Sequence, residues 1–497
     1  MMHVRAMKAA GWAAAVLQVA AVSAAEVKPV SLDDCLRMGL EKNLDIRLAQ
    51  YAPLLTKLSL SSALWTYEPT MNMGANQAFR ATEGFAGIGQ FNAPPNESWT
   101  EQFTAGFGGA VPTGLTYNVA SGVNRQSGVF NGRDQGFTYT PFAAINLTQP
   151  ILRNFWIDQP RLTIQLEKRN LKQGELDVRN QVIGTLTDVT LAYHDLIAAR
   201  ETVKVQQKAL QLAERQLAEN KKRVEVGNMA PLDEKEAAAQ VARSKADLIS
   251  AQQQLQLSEN ALKRLVTDDF SGQKDVSFEP TAQLVAVPES FNRMDSWHKG
   301  LSTRPDILRT RLELEKQRLT LRFTRNQLFP QLDLTGSYGL TGQDTALMPS
   351  LGDIQDRRNP QHSAGIRLSV PFSNRRARNE HQAAKLRNEQ TLLRYKQLEQ
   401  SVMVEIDNAI RNADAALQRV EATEAFREYS EAALQAEEKK LENGKSTSFI
   451  VLQRQRDFTA AQSDAIRAKS DYNKALARLA QAEGNTLERY RIQVEVK

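Results

Sequence analysis

Hydrophobic residues recur every seven positions through one long stretch of the chain: Val182, Val189, Leu196, Val203, Leu210, Leu217 and Val224. Ala192, Ala199 and Ala213 fall three residues after such positions, where a small side chain lets a neighbouring helix come close. A strict seven-residue repeat of this length predicts long helices packed side by side with a left-handed supercoil. Pro160 suits the first turn of a helix, and the 67 residues from there to Val226 read as one rod. At 1.5 Å per residue the rod would be about 100 Å long. Val241, Leu248, Leu255 and Leu262 resume the spacing after Gly227-Asn228-Met229-Ala230-Pro231, which reads as a helical hairpin turn. The same charged, alanine- and glutamine-rich texture occupies 31–68, 160–268, 295–328 and 373–484.

A second texture is short, glycine-rich and alternates with period two. It covers 69–79, 102–111, 114–124, 137–149, 331–341 and 364–371. Leu115-Thr116-Tyr117-Asn118-Val119 and Leu332-Asp333-Leu334-Thr335-Gly336-Ser337-Tyr338 place large apolar and small polar residues on opposite faces of a strand. The glycine- and asparagine-rich stretches 80–101 and 125–136 read as exposed loops. Strands of about ten residues fit both an edge sheet of a soluble domain and a membrane β-barrel. Alternation alone does not separate the two.

The textures recur in the same order twice. Asn43-Leu44-Asp45-Ile46 precedes a helix that ends at Glu68-Pro69, and Arg304-Pro305-Asp306-Ile307 precedes one that ends at Phe329-Pro330. The aspartates and the prolines are both 261 residues apart. The later landmarks Gln149-Pro150 and Val370-Pro371 are 221 apart, and Gly227 and Gly444 are 217 apart. About 40 residues are therefore absorbed between the prolines, as longer loops in the first half. This predicts two structural repeats, 26–294 and 295–497. The first would run as a helix, strands within 69–149, a long helix 160–226, a helix 232–268 and a closing segment 270–294. The second would run as a helix, strands within 331–371, a long helix 373–443, a helix 447–484 and a tail 485–497. Both closing segments show short β-like alternation, such as Ile492, Val494 and Val496.

Ahead of the repeats, Arg5 and Lys8 precede an apolar run from Ala9 to Val22, and Ser23-Ala24-Ala25 supplies small residues for cleavage. Residues 1–25 thus read as an export signal peptide. No later run approaches 18 uncharged apolar residues, so no membrane-crossing helix is expected downstream. The lone Cys35 excludes a disulfide framework and sits in a helical pattern, a poor place for lipid attachment. Lys plus Arg number 63 against 57 Asp plus Glu, interspersed, which gives little ground for nucleic-acid binding. The five histidines have no ligand spacing. Gly444-Lys445-Ser446 has the ending of a phosphate-binding loop, but Lys439 stands where its first glycine belongs and a helix precedes it. No catalytic residue, cofactor or metal is expected.

Ser31-Leu32-Asp33-Asp34-Cys35-Leu36, Leu147-Thr148-Gln149-Pro150-Ile151-Leu152, Phe329-Pro330-Gln331-Leu332, Ser369-Val370-Pro371-Phe372 and Asn443-Gly444 are each short and degenerate. In this duplicated order, behind a signal peptide and beside such long helices, the chain resembles the TolC family of trimeric outer membrane channel proteins. The resemblance implies an α+β membrane protein. A long antiparallel coiled-coil barrel in the periplasm would be continuous with a transmembrane β-barrel shared by a homotrimer. Each chain would give four strands, for which 69–79, 137–149, 331–341 and 364–371 are the candidates, and the pair within 102–124 exceeds that pattern. Pro150 and Pro371 would mark the swivel from strand to helix, and 270–294 with the tail would form an equatorial collar. The tips Val226, Gly227, Asn228 and Asn443, Gly444, Lys445 would meet a periplasmic adaptor protein serving an inner-membrane pump, with outer membrane lipid around the barrel.

Some members narrow the tunnel with acids six and nine positions after the second turn glycine. Here Ile450 and Gln453 hold those places, while Asp233 and Glu236 hold the equivalents in the first half. A spacing of three sets both acids on one helix face, and three copies would make cation-favouring rings. Plain helix-start acids are the other reading of this pair. The function implied is a passive conduit for efflux or type I secretion. The alternative is a soluble periplasmic coiled-coil scaffold without a barrel.

Overall fold

The structure is a computed structural model that describes residues 26–83, 95–130, 132–227 and 229–492. The proposed signal peptide, Asn228, Val494 and Val496 lie outside the described residues. The chain divides into two compact units, each assembled from three stretches of sequence.

The first unit joins residues up to Leu44 with Thr185–Glu289 and Asn412–Arg478. It opens with strand β1 (Glu26–Val30), which pairs in parallel with β6 (Val276–Pro280). Val30 and Phe278 are each 1% exposed, and the Tyr193 hydroxyl donates to the Val30 carbonyl at 3.2 Å. Helix α1 (Leu32–Lys42) starts on a reciprocal cap: Asp34 N–H donates to Ser31 Oγ at 3.1 Å, and Ser31 N–H donates to the Asp34 carboxylate at 3.2 Å. Its buried face carries Cys35, Leu36 and Gly39. A Cβ on Gly39 would stand 3.2 Å from Val189 Cγ2, so α1 comes close to the next long helix. Burial pushes the Cys35 thiol up to about 12, which leaves it neutral and unreactive.

That next helix is α3 (Gln159–Glu225), whose residues from 185 onward belong to this unit together with α4 (Pro231–Val266), the later part of α8 (Arg375–Glu442) and most of α9 (Ser448–Glu483). Along α3 the heptad positions Val182, Val189, Leu196 and Val203 are buried, whereas Leu210, Leu217 and Val224 are half-buried. In α4 the buried line is Ala237, Ser244, Ala251 and Ser258 rather than Val241, Leu248 and Leu255, which are only half-buried. The reason is steric: small side chains allow the backbone to approach, and the larger ones flank the contact. Lys474 bridges α9 to Asp195 on α3 at 2.8 Å, and Lys469 bridges α9 to Glu424 on α8 at 3.2 Å.

The second unit joins Asp45–Gly184, Ser290–Arg411 and the residues from Leu479 onward. The expected single helices over 31–68 and 295–328 are each broken. Asn43 separates α1 from α2 (Leu44–Leu64), and Arg304 separates α5 (Arg293–Thr303) from α6 (Pro305–Asn326). Pro305 forces that second break, because the residue before a proline avoids the helical region. Arg304 then binds both carboxylate oxygens of Asp306, at 3.1 and 2.8 Å, and the Ala482 carbonyl at 2.9 Å. Ile307, Val402, Ile406, Ile410, Leu479 and Ala482 form the core beside it.

The sheet of this unit holds β2 (Thr70–Thr82), β3 (Asn96–Ala110), β4 (Thr116–Phe130), β5 (Arg133–Pro150), β7 (Gln331–Thr341) and β8 (Pro360–Ser369). Its order is β2-β3-β4-β5-β7-β8, with every neighbouring pair antiparallel. This corrects the expectation of four strands. The pair within 102–124 lies inside the sheet, between the two strands that were to be neighbours. It also corrects the loop reading at 80–82, 96–101, 125–130 and 133–136, which are strand, while 84–94 and 131 lie outside the described residues. Glycine and asparagine abound there because one face of these strands is small and polar, which imitates loop composition. Helix α7 (Leu347–Gln355) connects β7 to β8. In the tail, residues 486–489 form α10 (Thr486–Arg489), ahead of the alternation at Ile492, Val494 and Val496, the last two of which lie outside the described residues. No helix among the described residues is long and apolar enough to cross a membrane.

One buried group makes the helical packing sensitive to pH. His194 on α3 is shielded by the packing around it, and burial, with Lys474 nearby, pulls its ring down to about 4 against the opposing pull of Asp195. Its folded pKa therefore lies below the unfolded value of about 6.5. The contribution is complete above pH 6.5 and is lost as pH falls toward 4, because the unfolded chain binds the proton first. Thermal unfolding followed from pH 7 to pH 4 should show about 1–3 kcal/mol of loss attributable to this partly exposed ring. His194→Gln should flatten that segment of the profile, and an unchanged profile would contradict the assignment.

Candidate functional site

Two features of the structure are organised beyond what packing requires: the hairpin turns that close the long helices, and the two faces of the sheet.

At the first turn α3 ends on Gly227, whose φ of +78° is left-handed and whose N–H donates to the Val224 carbonyl at 3.0 Å. At the second, α8 ends on Gly444 with φ +69°. There Gly444 N–H donates to Leu441 O at 3.1 Å and Lys445 N–H to Lys440 O at 2.8 Å, the paired bonds of a Schellman cap. A Cβ on either glycine would meet nothing within 4 Å, so backbone conformation and not crowding selects glycine. Val226, at 69% exposure, and Asn443, Gly444 and Lys445 all stand open to solvent. Beside the second turn Glu437 bonds Ser446 and, at 2.9 Å, Lys440. These two bonds hold its carboxyl below the usual carboxylate range.

The four constriction candidates fare differently. Asp233 accepts the Ala230 N–H at 3.2 Å and so serves the start of α4. Glu236 is half-buried one turn further along, Ile450 is 37% exposed and Gln453 is exposed. What joins the two turns is a polar cluster that composition does not announce. Asn220 donates to Ser448 Oγ at 2.8 Å and to the Asp233 carbonyl at 3.3 Å. Gln216 donates to Asn220 Oδ1 at 2.9 Å and to Ser448 Oγ at 3.3 Å. Asn220, Ser448 and Gln216 are 0%, 3% and 8% exposed, so α3, α4 and α9 are tied by buried hydrogen bonds. The signal was present in the sequence: Asn220 falls seven residues after Ala213, a polar residue at a heptad core position.

Pro150 is the last residue of β5 and pairs with Asp333, whereas Pro371 lies between β8 and α8. The left-handed residues that redirect the chain are Asn154, Trp156 and Asn374, with φ of 67°, 57° and 43°. Asn154 N–H donates to Asn326 Oδ1 at 2.8 Å, and Asn374 donates to the Leu328 carbonyl at 3.1 Å. Both asparagines thereby anchor the linkers to the end of α6.

In the sheet the register sorts side chains cleanly. One line across five strands reads Met73, Ala105, Ser121, Ala143 and Leu340; the next reads Gly74, Thr104, Gly122, Phe142 and Thr341. The first face carries Met71, Phe79, Phe103, Phe107, Ile366 and Leu368, all 50–73% exposed. So much exposed apolar surface marks a face that meets something other than water. Toward one end of this face Arg125 pairs with Glu101 at 2.8 Å and sits 4.1 Å from the Phe137 ring centre. Phe79 and Trp99 stack nearby, with centroids 4.6 Å apart. Aromatic residues around a polar band are the composition of a membrane-interface girdle. Leu351 and Ile354 of α7 border the same face, lining a groove of about 560 Å³ with Met73, Phe103 and Val123. The opposite face is mostly Thr, Asn, Ser, Gln, Ala and Gly, with Phe142 and Arg80 among them and with Asp333 facing Arg367 across β7 and β8. No described group of His, Cys, Asp and Glu could hold a metal ion.

Known proteins resemble this chain in sequence and in fold. The family described as "Outer membrane efflux protein" matches residues 115–267 and 298–485, well over half the chain. The pyoverdine export outer membrane protein OpmQ of Pseudomonas aeruginosa is 24% identical over 308 residues, which are 60% of this chain and 61% of that protein. The chain thus spans about three-fifths of that relative's length. The crystal structure of the Campylobacter jejuni CmeC outer membrane channel superposes with a TM-score of 0.66 at 16% identity, covering 92% of this chain and 86% of that one. The Vibrio cholerae outer membrane protein VceC gives 0.63 at 17% identity, covering 91% and 96%. With a sheet that presents an apolar face, and helices closed by paired turns, the chain belongs to the outer membrane efflux protein family.

Proposed function

We propose that the protein is the outer membrane component of a tripartite export system, acting as a homotrimer and as a passive conduit. The observation that carries this is the sheet. It is apolar on one face, polar on the other, and open at β2 and β8. In hydrocarbon an unpaired strand edge leaves backbone groups without partners, so the edges must close on further copies. Three copies would do so, with the polar faces enclosing water and the long helices of the two repeats enclosing a periplasmic tunnel. The exposed turns would meet a periplasmic adaptor, and an inner-membrane pump would supply the energy. The role named for OpmQ favours small-molecule efflux over type I protein secretion.

The barrel is tested at Leu334, which lies on the apolar face and is 47% exposed. Leu334→Arg should cost about 2–4 kcal/mol near the bilayer midplane, and should reduce the trimer recovered from outer membrane fractions. Thr335→Arg, on the polar face, should be tolerated. Equal yields from both would favour the soluble coiled-coil scaffold.

Docking is tested at the turns. Valine at Gly227 or Gly444 strains a left-handed position by roughly 1–2 kcal/mol, and should lower export while trimer yield is kept. Export that survives valine at both glycines would make the turns simple connectors.

For the constriction, Glu236 is assigned the lumen role, because Asp233 is engaged by the Ala230 N–H. Three glutamates near the narrow end should favour cations. Reversal potentials under a salt gradient should move toward zero for Glu236→Gln and far less for Asp233→Asn. Identical potentials for wild type and Glu236→Gln would place this acid outside the conduction path.

A further inference from the structure

The structure holds a hairpin that a four-strand chain does not need: β3 and β4, inserted between β2 and β5. Pro69 and Pro150 bracket the strands of the first repeat as Pro330 and Pro371 bracket those of the second, so β2 corresponds to β7 and β5 to β8. The 40 surplus residues between the first pair of prolines are then not longer loops but this hairpin, which occupies 96–130. The family match begins only at residue 115, near the start of β4, whereas its second segment begins at 298, within α5.

We propose that the β3–β4 hairpin is part of the membrane wall, so that the trimer closes eighteen strands around a lumen for bulky polar cargo of either charge. This rests on the trimeric conduit proposed above. Three independent features place the hairpin in the wall.

The ladder is unbroken, from Thr70–Gly108 to Thr82–Asn96 between β2 and β3, and from Glu97–Val129 to Ala110–Thr116 between β3 and β4. The hairpin also shares the two-faced pattern. Phe103, Phe107, Val119 and Val123 lie on the apolar face, and Gln102, Thr104, Asn118 and Asn124 on the polar one. The lower edge of the apolar band moves along the register, from Leu332 and Leu368 on β7 and β8, through Leu147 and Tyr117 on β5 and β4, to Phe107 and Met71 on β3 and β2. Strands tilted by about 40° displace level points by a little over one residue per strand, or about six across this sheet. A slant in this direction that passes through β3 and β4 without a step is what a wall strand needs, and a loop does not need it.

The third feature is curvature. A Cβ at Gly106, Gly122 or Gly128, all on the polar face of the hairpin, would come within 2.7, 2.4 and 2.1 Å of a carbonyl oxygen on the adjoining strand. Gly336, on the apolar face, would meet nothing within 4 Å. The hairpin therefore coils toward its polar side, and glycine is what permits it. The inner face so formed takes no charged residue from β3 or β4 and, apart from Phe130 at its end, only amides, hydroxyls and small side chains. Eighteen strands at this tilt enclose a backbone cylinder about 36 Å across, against about 24 Å for twelve.

The test uses the full chain with Cys35→Ala, purified as the assembled protein and reconstituted in liposomes. Spin labels are placed one at a time on cysteines at Phe103, Thr104, Val123 and Asn124, with Leu334 and Thr335 as references. Phe103 and Val123 should be reached by oxygen from the lipid, and Thr104 and Asn124 by a water-soluble nickel chelate, the same alternation as in β7. A label at Ser337, on the polar face of β7, should give interchain separations near 31 Å, against about 21 Å for a twelve-stranded wall. Water access at all four hairpin positions, the shorter separation, or a disulfide between cysteines at Asn72 and Asn146 would overturn the proposal, since β2 would then adjoin β5. The mass of the same sample is read separately. An assembly of other than three chains that keeps the alternation would sink the trimer and the count of eighteen, while a trimer without the alternation would sink the hairpin's place in the wall alone.

Discussion

A backbone amide or carbonyl in hydrocarbon must find its partner within protein, and in this molecule that single constraint governs the sheet. Within the chain, ladders satisfy the groups of five strand junctions and leave β2 and β8 open. No side chain can cap two whole strand edges. In the proposed barrel the strands meet lipid on one side and water on the other, which suits apolar residues such as Phe103 and Ile366 on one face and Thr104 and Gly365 on the other. Even the glycines follow, because a wall that bends toward its small-residue face has least room there.

The helices obey a different rule. Their length is set by the heptad, but their separation is set by what occupies the buried line. In α4 that line is Ala237, Ser244, Ala251 and Ser258, where no large side chain keeps a neighbour at a distance. Such a seam buries less apolar area per residue than a leucine seam and is correspondingly easier to slide or part. Near the turns the seam changes character again, as Asn220, Gln216 and Ser448 replace apolar contacts with buried hydrogen bonds. These bonds stabilise one geometry and lose strongly when misaligned.

The polar face of the sheet offers mainly amides and hydroxyls, with Arg80 on β2 and with Asp333 set against Arg367, so it carries little net charge.

Heptads, alternation, the doubled order of landmarks and the turn glycines were legible in the sequence, because each depends on local periodicity or on the backbone of one residue. Those features were enough for long paired helices, a two-faced sheet and membership of the channel family. The number of strands was not legible, since Gly- and Asn-rich strands with one polar face have the composition of loops and only cross-strand register tells them apart. Nor was the Asp233 cap distinguishable from a lumen acid, because both put a carboxylate at the same helical turn. The cluster of Asn220 with Ser448 left one trace, a polar residue in a heptad core, but its partner is 228 residues away. Sequence periodicity reports which face of an element is buried; only the tertiary structure decides what lies against it, because hydrogen bonds and strand pairs form between residues that no local pattern connects.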